Sequence, residues 1–403
     1  MNILIMRASN SKNYGSLMMV ANYVYYMQKN ENNIKFIVDN VENDGLERIK
    51  EAANYNNITS FKELGIKLRP NCQNRNKIIK TMMYFNYSMK FGRMIKNLNV
   101  DRVIQLGGDD FSEYYSIKAL FIEILKIVSL KNNKIDVTLI GQTMGPFSSW
   151  RIPLIKTLFR NIKIYTRDRT NYEYLKKELT LENVYESADL AYLPLPRQND
   201  IEVKEQAVKL INHAENYIVI VPSGLWKAYT SNRDNYINAW IDICYRLRKM
   251  EFNIILLAHV LSDTSSDKPI IEEIYSKIIS NSPSEREHIV AVTETIQPVV
   301  AREIISNSRV VISGRMHACV SALQTGTPTI PLSYSVKFKG VIGELPVKTN
   351  IIESASNALW ESPFKISQLI LNECNEIINS NDSKEKIARE IFKLESKIIS
   401  QIN

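Results

Sequence analysis

"RVVISGRMHACVSALQTGTPTIPLS" occupies residues 309–333. Val310, Val311 and Ile312 are β-branched and apolar, then Gly314 breaks the run, and "ACVSALQTG" reads as a small-residue helix that Gly326 stops. "TIPLS" (329–333) resumes an apolar strand. Two short apolar strands joined through a helix form a parallel β-α-β step, and continuous apolar strands of this kind belong to sheets covered on both faces. The step recurs along the chain. "NILIM" (2–6), "IKFIV" (34–38), "RVIQL" (102–106), "DVTLI" (136–140) and "IKIYT" (162–166) precede it; "YIVIV" (217–221), "NIILLA" (253–258) and "HIVAV" (288–292) follow a Pro-rich polar segment, "YLPLPRQND" (192–200).

At 403 residues the chain exceeds one hydrophobic core. The fold class expected is α/β, with two doubly wound, Rossmann-like domains facing a cleft. The boundaries expected are an amino-terminal domain over 1–193, a linker over 194–215, a carboxyl-terminal domain over 216–345 and helices over 346–403, where 383–400 is amphipathic. Forty-five per cent hydrophobic and 23% charged residues fit a globular chain and not a disordered one. The net charge of +8 favours acidic partners. Four scattered cysteines without a CxxC pair speak against a metal cluster or a disulfide framework and for a reducing compartment. The opening "MNILIMRASN" lacks the pattern of a secretory signal, and no run reaches about 20 apolar residues. A cytoplasmic location is expected.

In open parallel sheets, ligands bind beyond the carboxyl ends of the strands. Those ends carry Asn13-Tyr14-Gly15-Ser16, Gly107-Gly108-Asp109-Asp110, Gly141-Gln142, Arg167-Asp168, Pro222-Ser223-Gly224, His259 and Gly314-Arg315-Met316-His317. Small polar residues also turn the chain and cap helices there, so each stretch taken singly is read as structural first. Arg315 and His317 open the 316–324 helix, where free N–H groups and the positive dipole end favour an anion. Arg adds a bidentate fork, and His a proton mobile near neutral pH. Tyr334, Lys337 and Lys339 follow the next strand end and bring further positive charge.

The 313–340 segment resembles the signature of the polysaccharide pyruvyl transferase family: Arg315, His317, Ala318, Gly326, Pro328, Tyr334 and Lys337 match it in order. "NYG" (13–15), "GGDDF" (107–111), "GQTMGPF" (141–147), "TRDRTNYEYL" (166–175) and "SADLAYL" (187–193) are similar to further family segments, over roughly residues 1–345. Family members often carry an Asp where this chain has Ser16, which cannot act as a carboxylate base. The resemblance implies a GT-B-like enzyme of cell-envelope polysaccharide biosynthesis. Phosphoenolpyruvate is its donor, with no cofactor or metal, and pyruvate goes as a ketal onto a glycan or lipid-linked glycan acceptor. The amino-terminal domain then takes the acceptor and the carboxyl-terminal one the donor. The catalytic residues it suggests are His317 as proton donor, Arg315 as cation and Asp109 as base. Asn13, Gly15, Gly108, Gln142, Ser223, Gly224, His259, Tyr334 and Lys337 are candidates for substrate binding. Two alternatives stand beside it: a GT-B glycosyltransferase using a nucleotide sugar, and a non-catalytic glycan-binding scaffold.

No acidic residue occurs between Glu63 and Asp101, whereas Lys67, Arg69, Arg75, Lys77, Lys80, Lys90, Arg93 and Lys96 do. Tyr87, Phe91, Met94, Ile95 and Leu98 fall on one face at helical spacing. Such a face either packs on the chain's own sheet or lies on anionic lipid, as a peripheral contact through 67–98 at the inner face of the membrane. No motif points to nucleic acid.

Overall fold

A computed structural model describes residues 1–72, 76–108, 111–113, 117–345, 347, 349–379 and 384–402. Asp109, Asp110 and Arg75, singled out above, lie outside the described residues. Among the described residues, thirteen strands make two sheets. β1 (Asn2–Met6), β2 (Lys35–Val38), β3 (Ile58–Ser60), β4 (Arg102–Gly108), β5 (Asp136–Gln142), β6 (Lys163–Thr166) and β7 (Val184–Glu186) form the first, in the order β3-β2-β1-β4-β5-β6-β7. β8 (Tyr217–Val221), β9 (Asn253–Leu257), β10 (Ile289–Val292), β11 (Val311–Ser313), β12 (Thr329–Ser333) and β13 (Ile352–Glu353) form the second, in the order β10-β9-β8-β11-β12-β13. Every pairing is parallel. Both orders run outward from their first strand and then reverse, which is the doubly wound pattern, with switch points between β1 and β4 and between β8 and β11.

Ten of these strands are those the apolar runs announced. β3, β7 and β13 were not announced, and all three are edge strands of two or three residues. β8 is buried at every position, as a strand covered on both faces must be. Where β4 and β5 end, Gly107 and Gly141 approach so closely that a Cβ on Gly107 would lie 2.3 Å from the Gly141 carbonyl oxygen. No side chain fits there.

The chain divides into two compact units that are not contiguous in sequence. One comprises Met1–Ser11, Met19–Leu190 and the stretch from Ser396 onward; the other comprises Lys12–Met18 and Ala191–Glu395. Residues 194–215, expected as a linker, hold a helix, Ile201–Leu210, whose Val203 and Ala207 are buried in the core of the second unit beside Val219, Val300 and Ile304. Arg302, fully buried, fixes the chain before that helix. Its guanidinium donates to the carbonyl oxygens of Ala191 (2.7 Å) and Leu193 (2.9 Å) and to Gln198 Oε1 (3.2 Å). The expected 383–400 amphipathic stretch is broken at Lys393–Leu394 into the helices Lys384–Phe392 and Glu395–Ile402.

Candidate functional site in the second unit

The loops after β8, β9 and β11 meet beside the switch point of the second sheet, and one buried carboxylate ties them together. Asp267 precedes the helix Lys268–Asn281 but does not cap it with its side chain. Its Oδ1 accepts the Gly224 N–H (2.7 Å) and both Nε (2.9 Å) and Nη2 (2.7 Å) of Arg315. Its Oδ2 accepts the N–H groups of His259 (3.1 Å) and Val260 (2.9 Å). Arg315 Nη2 also donates to the Ser265 carbonyl oxygen at 2.5 Å. Both partners are buried, and a buried charge persists where an opposite charge and hydrogen bonds offset its lost hydration. The Nε–Nη2 edge of Arg315, expected to grip a substrate anion, is therefore occupied by a carboxylate of the chain itself.

His317 stands in the first turn of the helix Met316–Gln324, half-buried. The segment Lys12–Met18 walls it. A Cβ on Gly15 would lie 2.1 Å from His317 Nδ1 and 2.4 Å from Cγ, so only glycine lets the imidazole sit there. Asn13 caps the helix Tyr14–Asn30, its Oδ1 accepting the N–H groups of Gly15 (3.1 Å) and Ser16 (3.4 Å). Asn13 also pairs as an isolated antiparallel bridge with Val260, and the Tyr14 N–H donates to the His259 carbonyl oxygen. The Tyr14 ring meets the His259 ring edge-on with centroids 5.4 Å apart, and the Tyr14 hydroxyl accepts the Ile296 N–H at 2.9 Å. His259 is buried. Burial first, then the charges of His317, Arg315 and Arg302, hold its pKa well below the usual imidazole value.

The remaining candidates divide. Ser223 is inaccessible: its N–H donates to the Tyr236 hydroxyl, which donates back to the Ser223 carbonyl oxygen, both at 3.0 Å, and its Oγ accepts the Leu225 N–H. Expected to hold substrate oxygens, Ser223 instead shapes the loop after β8, and Gly224 spends its N–H on Asp267. Tyr334 packs its ring against Tyr229 (5.4 Å) and Phe338 (5.6 Å), and Lys337 Nζ lies 5.7 Å from the Tyr334 centroid. The Tyr229 hydroxyl donates to the carbonyl oxygen of Gly314, at the turn into the His317 helix. Tyr229 also lines a cavity of about 480 Å³ together with Trp226, Lys227, Thr230 and Asn357.

Gly108 and Gln142 belong to the first unit. Gln142 is fully buried, with Nε2 donating to the carbonyl oxygens of Gln105 and Leu106, both at 3.1 Å. Its amide nitrogen braces β4 against β5. Gly108 ends β4 and accepts the Thr143 N–H through its carbonyl oxygen. Asp168 caps the helix Arg169–Glu173: its Oδ1 accepts the Asn171 N–H at 2.7 Å. Arg167, next to it, pairs with buried Asp189. Among the described residues, no group of three or more His, Cys, Asp or Glu stands close enough to hold a metal ion.

The model of the family described as polysaccharide pyruvyl transferase matches residues 13–336. The chain belongs to that family. The match starts at Asn13 and spans both β11 and the helix that carries His317, so the family segment includes Asn13, Gly15, His259, Asp267, Arg315 and His317 and ends just before Lys337. No match is found among curated proteins. Among solved structures, the chain is similar to the UDP-GlcNAc 2-epimerase of Neisseria meningitidis, bound to UDP-GlcNAc. The TM-score is 0.59 at 12% identity, over 99% of this chain and 100% of that one. It is also similar to the UDP-GlcNAc 2-epimerase of Methanocaldococcus jannaschii, in complex with UDP-GlcNAc and UDP, with TM-score 0.57 and 11% identity over 98% and 99%. At such identities the likeness speaks of the fold: two parallel-sheet α/β domains of the GT-B type.

Proposed function

We propose that the chain is a pyruvyltransferase that moves the enolpyruvyl group of phosphoenolpyruvate onto a sugar of a cell-surface polysaccharide or its lipid-linked precursor. The observation that carries this reading is the placement of His317. A half-buried imidazole opens a helix two residues after an arginine paired with Asp267, in a unit that also carries Lys337 after a neighbouring strand.

The chemistry asks for a proton at the vinyl carbon of the donor, and His317 supplies it. Protonation leaves an oxocarbenium-like carbon. One sugar hydroxyl attacks that carbon and loses its proton; the second hydroxyl then displaces phosphate and closes the ketal. The sum is phosphoenolpyruvate plus a diol giving a ketal plus inorganic phosphate. Lys337 and the amino end of the Met316–Gln324 helix balance the donor's negative charge. Because its Nε–Nη2 edge is held by Asp267, Arg315 acts by fixing the turn into the His317 helix. Asp109 is the candidate base for the sugar hydroxyls.

Thermal unfolding with and without donor tests this. Phosphoenolpyruvate at about 100 times its Kd raises stability by about 2.7 kcal/mol, and His317→Ala abolishes most of that gain. Stabilisation by a UDP- or GDP-sugar and not by phosphoenolpyruvate would refute the proposal in favour of a glycosyltransferase. A response to glycan alone, unchanged in His317→Ala, would refute it in favour of a scaffold.

A further inference from the structure

The helix Lys77–Lys96 of the first unit has two apolar faces, and the fold uses one. Phe91 and Ile95 are buried with Ser88 and Gly92, and Tyr87, Met94 and Leu98 pack against the same core. The face that the sequence pattern advertises is thus spent on the protein's own interior, beside the helix Ile117–Asn132. A Cβ on Gly92 would lie 2.0 Å from the Ser129 carbonyl oxygen, so the two helices touch at backbone distance. A second set of apolar side chains points outward: Ile78 is 72% exposed, Met82 65%, Phe85 54% and Met89 41%.

Those four are spaced four, three and four residues apart, which aligns them along one side of the helix over about 16 Å. Exposed Ile79 lies next to Ile78, and exposed Ile117 opens the neighbouring helix, whose Lys118 Nζ reaches Thr81 Oγ1 at 3.1 Å. Single exposed apolar residues are ordinary; a contiguous stripe marks a contact surface. The charge around it selects the partner. Lys77, Lys80, Lys90, Arg93 and Lys96 of this helix, and Lys67 and Arg69 before it, are all exposed, and residues 64–100 hold no carboxylate side chain. A second copy of this chain would bring the same cations against these. A bilayer with anionic headgroups meets both the apolar stripe and the uniform positive charge.

We infer that the helix Lys77–Lys96 docks the protein on an anionic membrane surface, lying in the interface with Ile78, Met82, Phe85 and Met89 among the acyl chains. Among the described residues no helix is long and apolar enough to cross a membrane, so this contact is of the peripheral kind. It does not depend on which donor the second unit binds.

The test is co-sedimentation of the full chain with vesicles of phosphatidylcholine containing phosphatidylglycerol, and with vesicles of phosphatidylcholine alone. Wild type pellets with the anionic vesicles only, and high salt releases it. Met82→Asp with Phe85→Asp lowers the bound fraction at least about tenfold, and so does Arg93→Glu with Lys96→Glu, each with an unaltered melting transition because the residues are exposed. Three results overturn the proposal. One is equal binding by wild type and the Asp variant. Another is equal binding to neutral and anionic vesicles. The third is a dimer in sedimentation velocity that Phe85→Asp dissolves, which would assign the stripe to a second copy.

Discussion

Replacing Asp267 by Ala removes one buried side chain and disconnects three loops. Arg315 would keep its charge in a buried position without its carboxylate, and the N–H groups of Gly224, His259 and Val260 would each lose an acceptor. Breaking a buried ion pair from one side costs about 3–5 kcal/mol, because the remaining charge is stranded. For a unit of roughly 200 residues each kcal/mol moves Tm by about 2–4 °C, so the second unit should melt about 6–20 °C lower. Arg315→Met costs less, near the low end of that range, because the carboxylate keeps its three backbone donors. In Asp267→Ala combined with Arg315→Met no stranded charge remains. The double variant should therefore be more stable than the sum of the singles predicts, by about 1–3 kcal/mol. Scanning calorimetry on the four proteins reads this directly. Losses that add to within about 0.5 kcal/mol would refute the view that Asp267 is the counter-charge around which the site is built. So would an Asp267→Ala protein that melts with wild type.

Two further perturbations follow from the same geometry. Gly15→Ala places a methyl 2.1 Å from His317 Nδ1, forcing the imidazole to move by about 1 Å; phosphate release from phosphoenolpyruvate should fall about a hundredfold, and an Ala variant of normal activity would remove His317 from its proposed position. His259 is held neutral in the folded state while the unfolded chain takes up a proton below about pH 6.5, so stability is complete above that pH and drains away below it, by about 1.4 kcal/mol at pH 5.5. Tm should therefore drop about 3–6 °C between pH 7.5 and 5.5, and His259→Phe should flatten that slope; an equal slope in both would contradict the burial of the ring.

The central strands could be read from sequence because each is a continuous apolar run, and burial on both faces demands such a run. Three of the four edge strands could not: Ile58–Ser60, Val184–Glu186 and Ile352–Glu353 are too short to show a period and are recognisable only by their partners. The site was half legible. Arg315 and His317 stand out at the end of a strand, and Asn13 and Gly15 in the first loop. Asp267 does not, because "SSDKP" reads as an ordinary helix start, and nothing local says that its carboxylate turns toward residues 8 and 48 positions away. Gln142 and Ser223 illustrate the reverse error. Both sit at strand ends where ligands bind, yet both are buried, with the Gln142 Nε2 and the Ser223 Oγ bonded to backbone groups. The basic helix shows a third kind of miss. Periodicity identified the Phe91–Ile95 face and could not say whether protein or solvent covers it; once the core claims it, the stripe through Met82 and Phe85 becomes the informative one.

The wall behind His317 comes from Lys12–Met18, whereas the rest of its unit begins only at Ala191. Neither half of this molecule can therefore be excised as a continuous fragment. A piece starting at Ala191 would carry the imidazole but not the glycine that shelters it. During synthesis the first loop must wait for some three hundred further residues before its histidine emerges from the ribosome.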